Sequence, residues 1–176
     1  EHGIRGMAAA GEKVEGSVDA RSGLPVYSLY GKTKKPTAEM LANVDVLMFD
    51  IQDVGARFYT YASTMAYAME AAAENQKKMV IMDRPNPING VDVEGPVLDT
   101  SLKSFVGMFP IPIRHGLTLG ELANMIAGEK WIGKHSNVDL IVIPMERWKR
   151  GMWFDDTGLP WVAPSPNMKT LSTATV

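Results

Sequence analysis

VDVLMFDIQDVGARFYTY, residues 44–61, is the part of the sequence that decides the fold. The apolar run Val46–Phe49 is typical of a strand buried on both faces, as in a parallel sheet, and we expect the strand to span Val44–Ile51. Ligands of such sheets bind beyond the carboxyl ends of the strands. The residues after the run bring carboxylates, an arginine and tyrosines to this position: Asp50, Asp53, Arg57, Tyr59 and Tyr61. The alternative is a solvated turn before a helix N-terminus, where aspartate is also favourable.

The next predicted strand also ends at a carboxylate. An Ala- and Met-rich segment, residues 58–75, has apolar residues at helical spacing and leads into a strand at Met79–Met82, which Asp83 follows. The segment 83–99, DRPNPINGVDVEGPVLD, contains three prolines and two glycines, which excludes regular secondary structure. Long irregular segments within a compact domain are usually functional or disordered. The strand-end carboxylate and the adjacent Arg84 favour a functional segment.

Further elements complete the predicted order. We expect a short strand at Val26–Tyr30 and a short helix at Ala38–Asn43. A helix over Thr118–Lys130 begins with a capping box, in which Thr118 and Glu121 satisfy each other's backbone amides. A third apolar strand spans Asp139–Ile143. This order of strands and helices predicts an α/β fold with a parallel sheet flanked by helices.

The composition excludes several functional classes. The 176-residue chain has 18 basic and 20 acidic residues, a net charge of −2 and no basic stripe, so a nucleic-acid partner is not expected. No apolar run approaches the roughly 18–20 residues that a membrane span requires. Because cysteine is absent, the chain has no disulfide, no thiolate metal ligand and no cysteine nucleophile.

The two ends of the sequence suggest a truncated chain. It begins at Glu1 without an initiator methionine, and residues 171–176 end without a cap or a turn. We therefore expect truncation at both ends, with the strand that leads into Glu1 missing. The sequence then carries no information about a signal peptide.

The motifs present leave carboxylate chemistry as the main possibility. The histidines, His2, His115 and His135, show no metal-binding spacing, and we expect neither a metal site nor a cofactor. Gly31–Thr33 resembles the end of a phosphate-binding loop but lacks the preceding glycine, and no GxSxG motif marks a serine nucleophile. Carboxylates accompanied by arginines and aromatic residues are typical of enzymes that cleave glycosidic bonds.

Six motifs occur in order along the chain: EHGIRG, YGKTKKPT, DIQDVGARFYTY, DRPNPINGVDVEGPVLD, RHGLTLGELA and TGLPWVAPSPNM. Together they resemble the NamZ-type exo-β-N-acetylmuramidases, a glycoside hydrolase family formerly described only as a domain of unknown function. The resemblance implies a Rossmann-like catalytic domain at residues 1–150. It implies that residues 151–176 lead into a smaller C-terminal domain that is mostly absent, with the active site in the cleft between the two domains.

The resemblance also implies a substrate and a location. Such enzymes release N-acetylmuramic acid from the non-reducing ends of peptidoglycan fragments in bacterial cell-wall turnover and recycling. The expected partner is therefore a peptidoglycan-derived saccharide that ends in this sugar, and the expected location is extracytoplasmic, either secreted or periplasmic. One alternative is a non-catalytic cell-wall-sugar binding module, because a fold does not determine a function. Another is an amidase or esterase, although the nucleophile and metal motifs of those enzymes are missing.

Catalytic roles follow from the resemblance. The EHG motif implies that Glu1 is the catalytic acid, with His2 hydrogen-bonding either the acid or the substrate. A general acid needs a pKa near neutrality, which burial or a nearby carboxylate supplies. Asp50 or Asp53 either orients the 2-acetamido group of the substrate as the nucleophile or is the second carboxylate of an ordinary pair. We expect the activity to be independent of metal ions.

Substrate recognition calls for a cation, because N-acetylmuramic acid differs from N-acetylglucosamine by a lactyl carboxylate. The planar fork of arginine suits a carboxylate. Arg57 is the first candidate, with Arg84, Arg114 and Arg5 after it, and each is alternatively a structural partner of an aspartate. Further substrate-binding candidates offer an aromatic face, an amide or another polar group: Tyr59, Tyr61, Trp161, Asn86, Asn167, Asp83 and His115. The aromatic residues are alternatively part of the core, and His115 alternatively bonds a neighbouring loop.

Overall fold

The computed structural model describes residues 8, 12, 15–133 and 137–174. Two short strands, β1 (Ser17–Val18) and β2 (Pro25–Val26), form an antiparallel pair. The predicted strand Val26–Tyr30 is wrong beyond its first residue. There the Ser28 hydroxyl accepts a hydrogen bond from the Tyr30 amide (3.2 Å), and such a local bond competes with a sheet ladder.

The centre of the fold is a three-stranded parallel sheet in the order β3 (Val46–Phe49), β4 (Lys78–Met82) and β5 (Asp139–Ile143). Helix α1 (Tyr61–Glu74) connects β3 to β4, and helix α2 (Leu119–Gly128) precedes β5. Parallel neighbours need crossover connections of this kind, and all the strands of this sheet end at the same edge. The predicted Rossmann-like α/β fold is confirmed.

The helices form where the sequence favours them. Alanine and methionine, which are good helix formers, make up most of α1. At the start of α2, the Thr118 hydroxyl accepts a hydrogen bond from the Glu121 amide (3.2 Å), and the Glu121 carboxylate accepts one from the Thr118 amide (3.0 Å). The predicted capping box is confirmed. Of the helices in the described ranges, none is both long and apolar enough to cross a membrane.

Both helices pack on the same face of the sheet. The core between them includes fully buried side chains of α1, α2 and β4: Met65, Met69, Leu122, Ile126, Met79 and Ile81. On the opposite face, Val46 and Met48 of β3 are 44% and 65% exposed. The prediction that this strand is buried on both faces is wrong for the described residues, because they cover only one face of the sheet.

The predictions for the remaining segments have different outcomes. The predicted helix Ala38–Asn43 is wrong: this segment is a series of turns, in which the amides of Ala42 and Val44 bond carbonyl groups three residues back. The segment 83–99 is irregular, as predicted, and a short 3₁₀ helix, Thr100–Leu102, follows it. The predicted domain boundary at residue 150 stays a prediction.

Candidate active site

The carboxyl edge of the sheet borders a cavity of about 430 Å³. Segments that follow β3, β4 and β5 supply its lining, together with a later part of the chain: Asp50, Met82, Asp83, Arg84, Pro85, Met145, Glu146, Arg147, Trp148, Met152, Thr157 and Leu159. A cavity of this size suits a small molecule. Its position beyond the strand ends is where open α/β sheets bind their ligands.

Asp50 and Arg84 form an ion pair that joins the segments after β3 and β4. Nε of Arg84 lies 2.7 Å from Oδ1 of Asp50, and both side chains remain partly exposed to solvent. No described residue bonds the second carboxylate oxygen of Asp50, Oδ2. The structure therefore brings together a predicted catalytic residue and a predicted substrate-binding residue, and one carboxylate oxygen is available to a ligand.

Asp83 connects the end of β4 to the start of α2. Its Oδ2 accepts a hydrogen bond from the Thr118 hydroxyl (2.7 Å), and its Oδ1 accepts hydrogen bonds from the amides of Gly120 (2.8 Å) and Arg84 (3.0 Å). Burial raises the pKa of Asp83 above its usual value, although these hydrogen bonds act in the opposite direction. A Cβ at residue 120 would lie 2.7 Å from Cγ of Asp83, so this contact requires glycine. Asp83 lines the cavity, but both of its carboxylate oxygens already accept hydrogen bonds, and those from Thr118 and Gly120 fix the start of α2.

Asp53 and His115 are buried and do not line the cavity. Oδ2 of Asp53 accepts a hydrogen bond from the Gly55 amide (2.9 Å), and burial raises the pKa of Asp53 to about 6. Nδ1 of His115 accepts a hydrogen bond from the Leu117 amide (3.2 Å), so the neutral ring carries its proton on Nε2. Burial lowers the pKa of His115 to about 4.

Arg57 and Arg114 hold the loops around the cavity. Nη1 of Arg57 donates hydrogen bonds to the carbonyl oxygens of Pro96 (2.8 Å) and Ile111 (2.6 Å). The partners of the Arg114 guanidinium are two carboxylates and one carbonyl oxygen: Asp92 (2.9 Å), Glu94 (3.3 Å) and Ile88. Neither arginine lines the cavity. Their guanidinium groups bond the irregular segment 83–99.

The predicted sugar-stacking residues pack against other parts of the protein. The rings of Tyr59 and Tyr61 meet edge to face with centroids 4.9 Å apart, and the Tyr61 hydroxyl donates a hydrogen bond to the Pro164 carbonyl. Trp161 meets Phe154 edge to face, with ring centroids 5.0 Å apart. None of these rings lines the cavity.

The two predicted amide contacts differ in their environment. Asn86 is buried: its Nδ2 donates a hydrogen bond to the Leu117 carbonyl (2.9 Å), and its Oδ1 accepts one from the Ile88 amide (3.1 Å). Asn167 is exposed and lies away from the cavity lining. Asn86 therefore joins two loops, and its amide is not free for a sugar hydroxyl.

The predicted acid Glu1, its neighbour His2 and the candidate arginine Arg5 lie outside the described residues, so their roles stay predictions. Across residues 15–133 and 137–174, no group of three or more His, Asp or Glu side chains is placed to hold a metal ion. Independence from metal ions stays a prediction as well.

The cavity also contains residues that our sequence reasoning missed. Glu146, Arg147 and Trp148 lie in the loop that follows β5, as Asp50 lies directly after β3. The sequence does indicate these residues, because it predicts a strand at Asp139–Ile143 and ligand contacts are expected beyond every strand end of a parallel sheet. The side chains of Glu146 and Arg147 form no hydrogen bond or ion pair with any described residue.

Parallel strands that end at a common cavity define the chain as a Rossmann-like α/β domain, and the charged and aromatic lining suits a polar small molecule. At the level of sequence, residues 1–172 match the family described as exo-beta-N-acetylmuramidase NamZ, N-terminal. The chain belongs to this family, and the resemblance stated above is confirmed.

Similar proteins are known from two groups of bacteria. The peptidoglycan beta-N-acetylmuramidase NamZ of Bacillus subtilis (strain 168) is 58% identical over 176 residues, which are the whole of this chain and 42% of that protein. A crystal structure of a DUF1343 family protein from Bacteroides fragilis NCTC 9343 has a TM-score of 0.86 at 52% identity, over 90% of this chain and 41% of that one. A second DUF1343 structure from the same organism has a TM-score of 0.80 at 43% identity, over 89% of this chain and 42% of that one.

Proposed function

We propose that the protein is a glycosidase that releases N-acetylmuramic acid from the non-reducing ends of peptidoglycan fragments. The observation that carries the proposal is the cavity beyond the strand ends, which Asp50, Arg84, Glu146, Arg147 and Trp148 line together. Membership of the NamZ family and the activity named for the Bacillus subtilis relative support it. An extracytoplasmic location is part of the proposal, because peptidoglycan lies outside the cytoplasmic membrane.

Cleavage of a glycosidic bond requires an acid for the leaving oxygen and a second group that acts at the anomeric centre. Glu1 is the proposed acid. For the second group, we assign Asp50 the orientation of the 2-acetamido group. Arg84 holds Oδ1 of this carboxylate, so Oδ2 can accept a hydrogen bond from the acetamide N–H. A carboxylate fixed before the substrate arrives stabilises developing charge without reorganisation, and Glu146 supplies a further carboxylate in the same cavity.

The test uses the full-length protein with para-nitrophenyl-β-N-acetylmuramic acid and the corresponding glucosaminide. We expect turnover of the muramic acid substrate in preference to the glucosaminide. Glu1→Gln should abolish turnover and retain affinity, and Asp50→Asn should lower kcat by roughly a hundredfold. Asp155→Asn is the control, because this exposed carboxylate lies outside the cavity lining.

Each contrary result removes a defined part of the proposal. A preference for the glucosaminide would contradict the substrate assignment. Binding of the sugar without turnover would identify a cell-wall-sugar binding module instead of an enzyme. Release of peptide or lactate in place of free sugar would identify an amidase or esterase.

A further inference from the structure

We propose that Arg147 binds the lactyl carboxylate of the substrate and thereby distinguishes N-acetylmuramic acid from N-acetylglucosamine. This inference rests on the proposed function and names the specificity-determining residue of the same cavity. Arg147 follows Glu146 in the loop after β5, at the carboxyl edge of the sheet, and both residues line the cavity. It forms no hydrogen bond or ion pair with any residue in the described ranges.

Among the described residues, the arginines suggested by the sequence, and one more beside the site, already have partners. Arg57 bonds two carbonyl oxygens, Arg84 bonds Asp50, Arg114 bonds Asp92 and Glu94, and Arg150 bonds Glu121 and the carbonyl oxygens of Gly90 and Gly116. A paired guanidinium must lose a charge-assisted hydrogen bond before it can bind a ligand. Arg147 has no such bond to lose among the described residues.

The charges in the cavity also favour Arg147 as the residue that binds a carboxylate. Asp50 and Glu146 both line it, and like charges at short range disfavour a carboxylate ligand. Arg84 is the other arginine in the lining, but Asp50 already engages it. A carboxylate ligand is therefore favoured only where a guanidinium is free to pair with it. The planar fork of Arg147 offers two parallel N–H donors to one carboxylate.

The backbone holds Arg147 in an uncommon conformation. Its φ is +64°, in the left-handed region that residues with a Cβ rarely adopt. Such a conformation persists where the surrounding structure enforces it and is frequent at ligand sites. Here two residues that follow Arg147 in the chain, Trp148 and Arg150, contact Gly90 and hold the segment in place.

The contacts of Gly90 are close. A Cβ at this glycine would lie 2.8 Å from Cη2 of Trp148. The Gly90 amide donates a hydrogen bond to the Arg150 carbonyl (2.6 Å), and the Arg150 guanidinium donates one to the Gly90 carbonyl (2.6 Å). The segment that presents Arg147 is therefore ordered before a ligand binds, which lowers the entropic cost of binding.

The experiment compares the free acid and the lactyl methyl ester of para-nitrophenyl-β-N-acetylmuramic acid in the full-length protein. The two substrates differ in the negative charge of the lactyl group. Arg147→Gln should lower kcat/KM for the free acid by about tenfold to a hundredfold, the range for a hydrogen bond to a charged group. It should leave the ester within about twofold of the wild type. Arg21→Gln is the control, because it removes the same charge from an exposed position outside the cavity.

A second variant separates recognition from folding. Arg147→Gly removes the side chain, and glycine adopts positive φ without strain. This variant should lose the preference for the free acid and melt at the wild-type temperature or above it.

Three results would overturn the inference. Equal losses for both substrates in Arg147→Gln, or unchanged discrimination, would remove the role of Arg147 while wild-type turnover leaves the proposed function intact. An equal loss in Arg21→Gln would attribute the effect to net charge. Failure of the wild type to hydrolyse either substrate would overturn the proposed function, and the inference with it.

Discussion

Nε2 of His115 lies 4.0 Å from Oδ2 of Asp53, and both side chains are buried. This distance is too long for a hydrogen bond, and within the described residues neither Nε2 of His115 nor Oδ1 of Asp53 has a partner. Burial disfavours the charged form of each group, which raises the pKa of Asp53 to about 6 and lowers that of His115 to about 4. The two residues therefore change stability in opposite directions as the pH changes.

Asp53→Asn should stabilise the protein above pH 6. The pKa of Asp53 is higher in the folded state than its reference value of 3.8, so the wild type loses stability as the pH rises from about 4 to about 6. The variant has no carboxylate to ionise at this position. Its free energy of unfolding should exceed that of the wild type by about 1–3 kcal/mol at pH 8 and equal it below pH 4. Denaturant unfolding at both pH values measures the effect. A less stable Asp53→Asn at pH 8 would contradict the prediction.

His115→Gln should remove a loss of stability that the wild type shows at acidic pH. The folded state holds the pKa of His115 at about 4, below its reference value of 6.5. The wild type therefore loses stability as the pH falls from about 6.5 to about 4. The free energy of unfolding of the variant, relative to the wild type, should rise as the pH falls through this range. Parallel curves for the two proteins would disprove the assignment.

Gly120→Ala should destabilise α2, whereas Gly128→Ala should not. A Cβ at Gly120 would lie 2.6 Å from Cγ1 of Val142 and 2.7 Å from Cγ of Asp83, and nothing lies within 4 Å of a Cβ at Gly128. Overpacking of this kind costs about 1–3 kcal/mol, while alanine in an open helical position adds up to about 1 kcal/mol of stability. Thermal unfolding of the two variants gives the comparison, and similar melting temperatures would show that the helix can shift away from β5.

Arg57→Met should weaken the fold and affect both substrates equally. The change keeps the apolar stem and removes the donor that bonds the carbonyl oxygens of Pro96 and Ile111. Loss of such partners costs about 1–3 kcal/mol. We expect a lower melting temperature and similar reductions in kcat/KM for the free acid and the lactyl ester. A reduction in kcat/KM for the free acid alone would show instead that Arg57 recognises the lactyl carboxylate.

The sequence predicted the elements whose causes are local. The capping box of Thr118 and Glu121 needs only neighbouring residues, and β5 has the bounds that its apolar run predicted. The position of Asp50 at a cavity followed from the general behaviour of strand ends. The prediction fell short at β5, where the same rule applied to Glu146 and Arg147 would have completed the cavity.

Roles that depend on distant partners were beyond the sequence. Asp50 and Asp53 share one motif, yet Asp50 lines a cavity while Asp53 is buried. Arg57 donates hydrogen bonds to carbonyl groups that lie 39 and 54 residues away along the chain. No sequence pattern predicts a carbonyl partner. The exposure of one face of β3 was also beyond the sequence. An apolar run predicts a strand, but it does not show what covers that strand.

Arg150 has a consequence for the order in which the protein folds. Its partners Glu121, Gly116 and Gly90 are 29, 34 and 60 residues away along the chain. Contacts across such separations close long loops, and their entropic cost delays them relative to helices and neighbouring turns. We therefore expect these contacts, like the pairing of Lys78 with Asp139 across β4 and β5, to form after helices α1 and α2. A ligand of the cavity should accordingly slow unfolding and leave the folding rate nearly unchanged, because it stabilises contacts absent from the transition state.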